Sequence, residues 1–216
     1  MDLINDNSCG WTNQLPERSN IKLLDQDIYC DYLIVGAGYT GLSAARKLSD
    51  IKKDKKIVLI DAQLAGEGGS SRNSGYLVDT TLNDGFTSNS DKENYVKKTK
   101  IYQWGIEAVR KFIKEYQVDC DWNECGKYFA SSKEHDETKA LSFSKLLNSL
   151  GFKNKILFNK ELTEKLGTPF YKIGVFTSGG ILLNPGKLAR AMVDTLPDNV
   201  KAVSYTHLTL PTNKAV

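Results

Sequence analysis

The chain has 216 residues, of which 40% are apolar and 25% charged, with a net charge of +3 at neutral pH. That composition belongs to an ordinary globular protein long enough to bury a core, and it argues against a disordered or fibrous chain. The lysine run Lys52-Lys53-Asp54-Lys55-Lys56 is interleaved with acid, so it reads as solvated surface and no nucleic-acid partner is expected.

Residues 1–27 are polar, with Trp11, Pro16 and Leu23-Leu24 as anchors, and read as an arm packed over something else. The start, Met1–Asp6, has no basic, then apolar leader, and no run approaches the ~20 apolar residues of a membrane span. A cytoplasmic protein is therefore expected. The sparse cysteines Cys9, Cys30, Cys120 and Cys125 agree with a reducing compartment. Cys120, Cys125 and His135 do not close a zinc site, so no metal is expected.

Tyr32-Leu33-Ile34-Val35 is a continuous apolar run of the kind a buried parallel strand needs. Glycines follow, and then Leu42, Ala45 and Leu48 share one face of a helix. Ile57–Ile60 is a second apolar strand, ending at Asp61. Together these make a β-α-β unit within about 30 residues. Residues 62–90 are rich in Gly, Ser, Asn and Thr and read as one long loop, a feature more often functional than filler. A long helix is expected over 91–117, with Ile101, Trp104, Ala108, Val109, Phe112, Ile113 and Tyr116 at helical spacing. Further elements are a strand at Tyr128–Ala130, a helix over 134–150, a short helix at Glu161–Leu166 and a strand at Tyr171–Phe176. The aromatics Tyr128, Phe129, Tyr171 and Phe176 suit core packing better than a substrate pocket. After a Gly179-Gly180 turn, Asn184 and Pro185 suit the N-cap and first position of a helix running to about Leu196. Asn199-Val200-Lys201 opens a strand, and residues 203–216 resemble a translated adapter, foreign to the protein.

Gly36-Ala37-Gly38-Tyr39-Thr40-Gly41 is G-x-G-x-x-G, and here it follows a strand and opens a helix, the context that gives the pattern weight. Gly36 permits the tight turn, Gly38 lets backbone approach a pyrophosphate, and Gly41 lets helix and strand pack closely. The helix start offers unpaired N–H groups to phosphate oxygens. Asp61, 20 residues past Gly41, is placed to accept hydrogen bonds from ribose hydroxyls and would repel a 2′-phosphate. The loop Gly66-Glu67-Gly68-Gly69-Ser70-Ser71-Arg72-Asn73-Ser74-Gly75 suits a second pass along a diphosphate, with small residues, hydroxyls and one guanidinium.

The glycine turn, Asp61, Ser71–Gly75 and Gly179-Gly180-Ile181-Leu182-Leu183-Asn184-Pro185 together resemble the D-amino-acid-oxidase-type FAD-dependent oxidoreductases. Within them the chain is most similar to the γ-glutamylputrescine oxidase-like branch, over roughly residues 10–201. The resemblance implies an α/β fold with a Rossmann-like FAD-binding domain and the start of an α+β substrate domain. It implies an arm over 1–27, a first FAD-domain segment over 28–125, the start of a substrate domain over 126–178, and a return towards the FAD domain over 179–202. It implies that Gly36, Gly38, Thr40 and Gly41 hold the FAD pyrophosphate and that Asp61 and Ala62 meet the ribose. Ser70, Ser71, Arg72, Asn73 and Gly75 would line the diphosphate and flavin edge. Two positions depart from the family: Gly is common where Ser71 stands, which predicts strain if φ is positive there, and Glu is common where Asp61 stands.

The implied chemistry is oxidation of an amine or amino acid by hydride transfer to flavin, with oxygen or another electron acceptor restoring the cofactor. No catalytic base is identified. Family members run to about twice this length, so these residues alone are expected to bind FAD weakly and not to turn over. An NAD-dependent dehydrogenase and a non-catalytic dinucleotide-binding subunit are the alternatives.

Overall fold

The computed structural model describes residues 8–19, 21–80 and 92–206. In chain order the elements are α1 (Gly10–Asn13), β1 (Tyr32–Val35), α2 (Tyr39–Ile51), β2 (Ile57–Ile60), β3 (Tyr76–Val78), α3 (Lys92–Tyr116) and β4 (Lys127–Ser131). They continue with α4 (Glu137–Ser149), β5 (Asn154–Phe158), α5 (Asn159–Leu166), β6 (Ile173–Thr177), β7 (Gly180–Leu182), α6 (Pro185–Asp194) and β8 (Val200–Val203). The chain divides into two compact units, Met1–Gly75 with Val118–Cys120 and Asn184–Val216, and Tyr76–Gln117 with Asp121–Leu183.

The first unit is built on a parallel sheet in the order β1-β2-β8, with Tyr32 opposite Ile57 and Ile57 opposite Val200. All four residues of the central β2 are buried, as its unbroken apolar run requires of a strand covered on both faces. α2 buries Leu42, Ala45 and Ser49, and Leu42 packs with Ala37, Leu59 and Ala65 against Met192 and Val193 of α6. α6 starts as its sequence dictates: Asn184 Oδ1 accepts the Lys187 amide at 3.1 Å, with Pro185 at the first helical position. β1, expected from its apolar run to be buried, is instead an outer strand among the described residues, and Leu33 and Val35 are exposed because no neighbouring strand covers that edge there. At the other edge β8 runs on to Val203, which is fully buried. The Tyr205 and Thr206 amides then bond the carbonyls of Gln63 and Asp61. The stretch read as foreign thus begins with four residues built into this unit, and 207–216 lie outside the described residues.

The second unit holds an antiparallel sheet in the order β4-β6-β5 and a two-stranded pair, β3-β7. α4 lays Ala140, Phe143 and Leu147 against Ile173 and Val175 of β6. Phe129 meets Phe143 edge-on at 4.9 Å, and Tyr128 meets Phe176 at 4.9 Å, so these aromatics serve packing. Four departures from the sequence expectations have physical reasons. The loop of 62–90 contains a short helical turn, Gly69–Ser71, and β3, whose three residues are too few to show a period and gain their order from β7. β7 begins at Gly180, where a turn was expected. β5 opens with Asn154 and Lys155, so only Ile156-Leu157-Phe158 reads as an apolar run, too short to mark a strand. The helix expected over 134–150 opens with a 3₁₀ turn, Glu134–Asp136, before α4. α3 spans the expected helix from Lys92, its first residue lying outside the described ones, yet Ile101 and Trp104 of its periodic face are 57% and 75% exposed.

Candidate functional site

β1 delivers the chain to Gly36, whose φ of +97° is a left-handed conformation that a side chain disfavours. The Gly36 amide bonds Ile60 O at 2.7 Å, which brings the turn over the end of β2. Gly41 lies so close to this turn that a Cβ on it would sit 1.9 Å from Gly36 O. Gly38 is the N-cap of α2 and supplies no capping side chain, and no acid stands in the first turn. The first N–H groups of a helix have no partner within it and carry its partial positive charge, so α2 begins with a surface suited to an anion. Thr40, in that first turn, is exposed.

Asp61 sits where the sequence places it, but its first partners are protein. Oδ2 accepts the Ala37 amide at 2.7 Å and Oδ1 the Gln63 amide at 2.9 Å. The carboxylate thereby ties the glycine turn to the end of β2. Each oxygen keeps a second acceptor site, so a ribose contact remains open to it. Ala62 is exposed beside it.

The 65–75 loop closes on the same turn. Gly66 N bonds Ala37 O at 3.0 Å, and Ser70 Oγ accepts the Tyr39 amide at 2.9 Å. A Cβ on Gly38 would lie 2.8 Å from Ser70 Oγ, so the bare Gly38 is what lets the two loops meet. Ser71 is fully buried and its hydroxyl donates to Gly66 O. Its φ is not positive, so the strain foreseen for a non-glycine residue there does not arise. Asn73 shapes the loop end: Nδ2 donates to Ser70 O and Oδ1 accepts Gly75 N, each at 2.8 Å, and Gly75 is buried with φ +69°. Arg72 is exposed, with Nε on Glu67 O at 3.0 Å.

The structure therefore gathers Gly36, Gly38, Gly41, Asp61, Ser70 and Ser71 by direct contacts, with Asn73 and Gly75 shaping the loop and Thr40, Ala62 and Arg72 on its surface. Sequence reasoning missed Tyr39, whose hydroxyl donates to Pro185 O at 3.1 Å. Burial, reinforced by nearby Cys120, raises its pKa well above the ordinary value, so the phenol stays protonated. It also missed Glu67, whose carboxylate is held by Arg190 at 2.7 Å. Neither had a spacing signal, since Arg190 lies 123 residues from Glu67. Among the described residues there is no cluster of three or more His, Cys, Asp or Glu suited to a metal, and no helix is long and apolar enough to cross a membrane.

These features fit a dinucleotide. A Cβ on Gly36, Gly68 or Gly69 would meet nothing within 4 Å, so bare backbone borders open space beside the start of α2. A parallel sheet with such a turn defines a dinucleotide-binding α/β protein. The match of residues 31–211 to the DAO family model, FAD dependent oxidoreductase, then makes the chain a member of that family. It is 28% identical over 185 residues to "Probable oxidoreductase OrdL" of Haemophilus influenzae, covering 79% of this chain and 41% of that one. It is 36% identical over 112 residues to the gamma-glutamylputrescine oxidoreductase of Escherichia coli, covering 50% and 25%. Among solved structures, glycine oxidase from Geobacillus kaustophilus superposes with a TM-score of 0.64 at 16% identity, covering 82% of this chain and 46% of that one. The chain spans less than half the length of these relatives, and at that identity the structural likeness speaks for the fold alone.

Proposed function

We propose that the protein uses FAD to oxidise an amine or amino acid, with the glycine turn and the 65–75 loop holding the cofactor's diphosphate. Bound there, FAD supplies the hydride acceptor and oxygen or another acceptor restores it. This chain's own residues bind and orient. The opening of α2 meets the pyrophosphate with backbone N–H groups, Asp61 adds the ribose to its two amide partners, and Arg72, exposed at the loop surface with Nε on Glu67 O, offers its guanidinium to a phosphate oxygen. Asp61 disfavours a 2′-phosphate. The observation that carries this reading is the junction of Gly38, Tyr39 and Ser70, where both loops meet at the helix start. The substrate class is supported by the names of the relatives, which include a gamma-glutamylputrescine oxidoreductase and glycine oxidases. A cytoplasmic setting belongs to the same proposal.

The test is gentle purification of the full-length protein, followed by an absorbance spectrum and a panel of amines and amino acids under oxygen with peroxide detection. Flavin bands and peroxide from at least one amine are expected. A colourless protein that ignores added FAD and retains NAD would overturn the reading in favour of a dehydrogenase. Residues 1–216 alone are expected to hold FAD weakly and to show no turnover.

A further inference from the structure

Residues 9–18 precede the stretch that matches the family, 31–211, yet they reach its second loop at several points. Cys9 Sγ donates to Ser71 O at 3.6 Å, and Trp11 Nε1 donates to Asn73 O at 2.8 Å. Arg18 Nη1 donates to Ala65 O at 3.4 Å while Nη2 pairs with the Asp194 carboxylate. The arm is fastened to α6 in turn. Arg190 donates to Pro16 O as well as to Glu67, and Thr12 and Leu15 pack over Gly186, each 3.4 Å from where a Cβ would stand.

The targets share a chemistry. The arm's donors take main-chain carbonyls of residues 65, 71 and 73. A peptide plane with its carbonyl engaged on one side turns the following N–H to the other. The Ala65–Gly66 plane is bonded on both sides, to Arg18 through its carbonyl and to Ala37 O through the Gly66 amide. Asn73, held by Trp11, donates in turn to Ser70 O, and Ser70 accepts the Tyr39 amide. A connected path of hydrogen bonds thus leads from the arm to the first turn of α2. A loop this rich in Gly and Ser has many conformations to lose on ordering, and the arm supplies the fixed points.

We propose that residues 9–18 form a clasp that sets the shape of the 65–75 loop, with Trp11 and Arg18 as positioning residues for the FAD diphosphate. The second half of this rests on the reading of that loop as a cofactor site. Trp11→Phe keeps the ring and removes the N–H, and Arg18→Lys keeps the charge and removes the fork. Hydrogen exchange in the full-length protein without added cofactor reads the loop directly, with β2 amides as the internal control for folding. In Trp11→Phe, exchange at 69–75 should quicken roughly fivefold, the scale of one hydrogen bond, with β2 unchanged. Tryptic cleavage after exposed Arg72 should rise in parallel, and the Kd for FAD by flavin fluorescence should weaken by a similar factor. Unchanged loop exchange in both variants overturns the clasp. Faster exchange with an unchanged Kd overturns the positioning role. A wild-type protein that binds no flavin overturns the cofactor reading, while loop exchange still judges the clasp.

Discussion

The Gly36–Gly41 turn and the Asp79–Lys127 pair each stand at a strand end, one in each unit, and they are specified in opposite ways. The turn is made of contacts between near neighbours: Gly41 packs on Gly36, and Asp61 reaches back 24 residues to Ala37. The pair joins residues 48 apart. Lys127 Nζ lies 2.5 Å from Asp79 Oδ1 and also meets the Thr80 hydroxyl, with the lysine side chain 2% exposed. Gly179 makes room for it, since a Cβ there would stand 1.9 Å from the Asp79 carboxyl group. Local geometry can be written as a motif. A buried ion pair is written only in the folded chain.

The sharpest break of this contrast is Gly41→Val. It drives a side chain into the Gly36 carbonyl, which is backbone and cannot step aside, and should cost more than about 3 kcal/mol. Urea unfolding should show the first unit lost, while a stable variant would mean that the turn tolerates a wider approach. Lys127→Met comes next. It leaves the Asp79 carboxylate, 18% exposed, without its cation, and should cost about 2 kcal/mol in the same experiment. Burial holds the Lys127 pKa below its ordinary 10.5, with Asp79 pulling the other way. A lysine lowered on folding opposes folding while it is charged in both states. That opposition fades as pH rises from the lowered value towards 10.5, so wild-type stability should gain there and the variant should lack the gain. The smallest effect is Asp61→Ala, which strips acceptors from the Ala37 and Gln63 amides and should cost about 1.5 kcal/mol. Loss of FAD affinity without loss of stability would instead make Asp61 a ribose ligand alone.

The same division explains what was legible. β1, α2, β2, α6 and the glycine turn could be read because their periods, caps and spacings lie within single elements. The placing of Ser70, Ser71 and Asn73 in one loop was legible from composition, but its closure on Tyr39 was not, because a hydroxyl 31 residues away leaves no pattern. Gly179-Gly180 was visible as a motif while its reason, the Asp79 carboxylate, was hidden. β3 and β7 were missed because three residues establish no period, and β5 because its apolar run is only Ile156–Phe158; the order of all three comes from their partners. The exposed half of α3 shows the converse, a helical period that holds whether or not anything covers it.

β1 carries a consequence for handling the molecule. Its outer edge has no strand beside it among the described residues, and its exposed Leu33 and Val35 are apolar. Such an edge is a template for strand addition. Concentrated solutions of residues 1–216 should therefore cloud before those of a variant carrying lysine at position 33, and light scattering against concentration would register the onset.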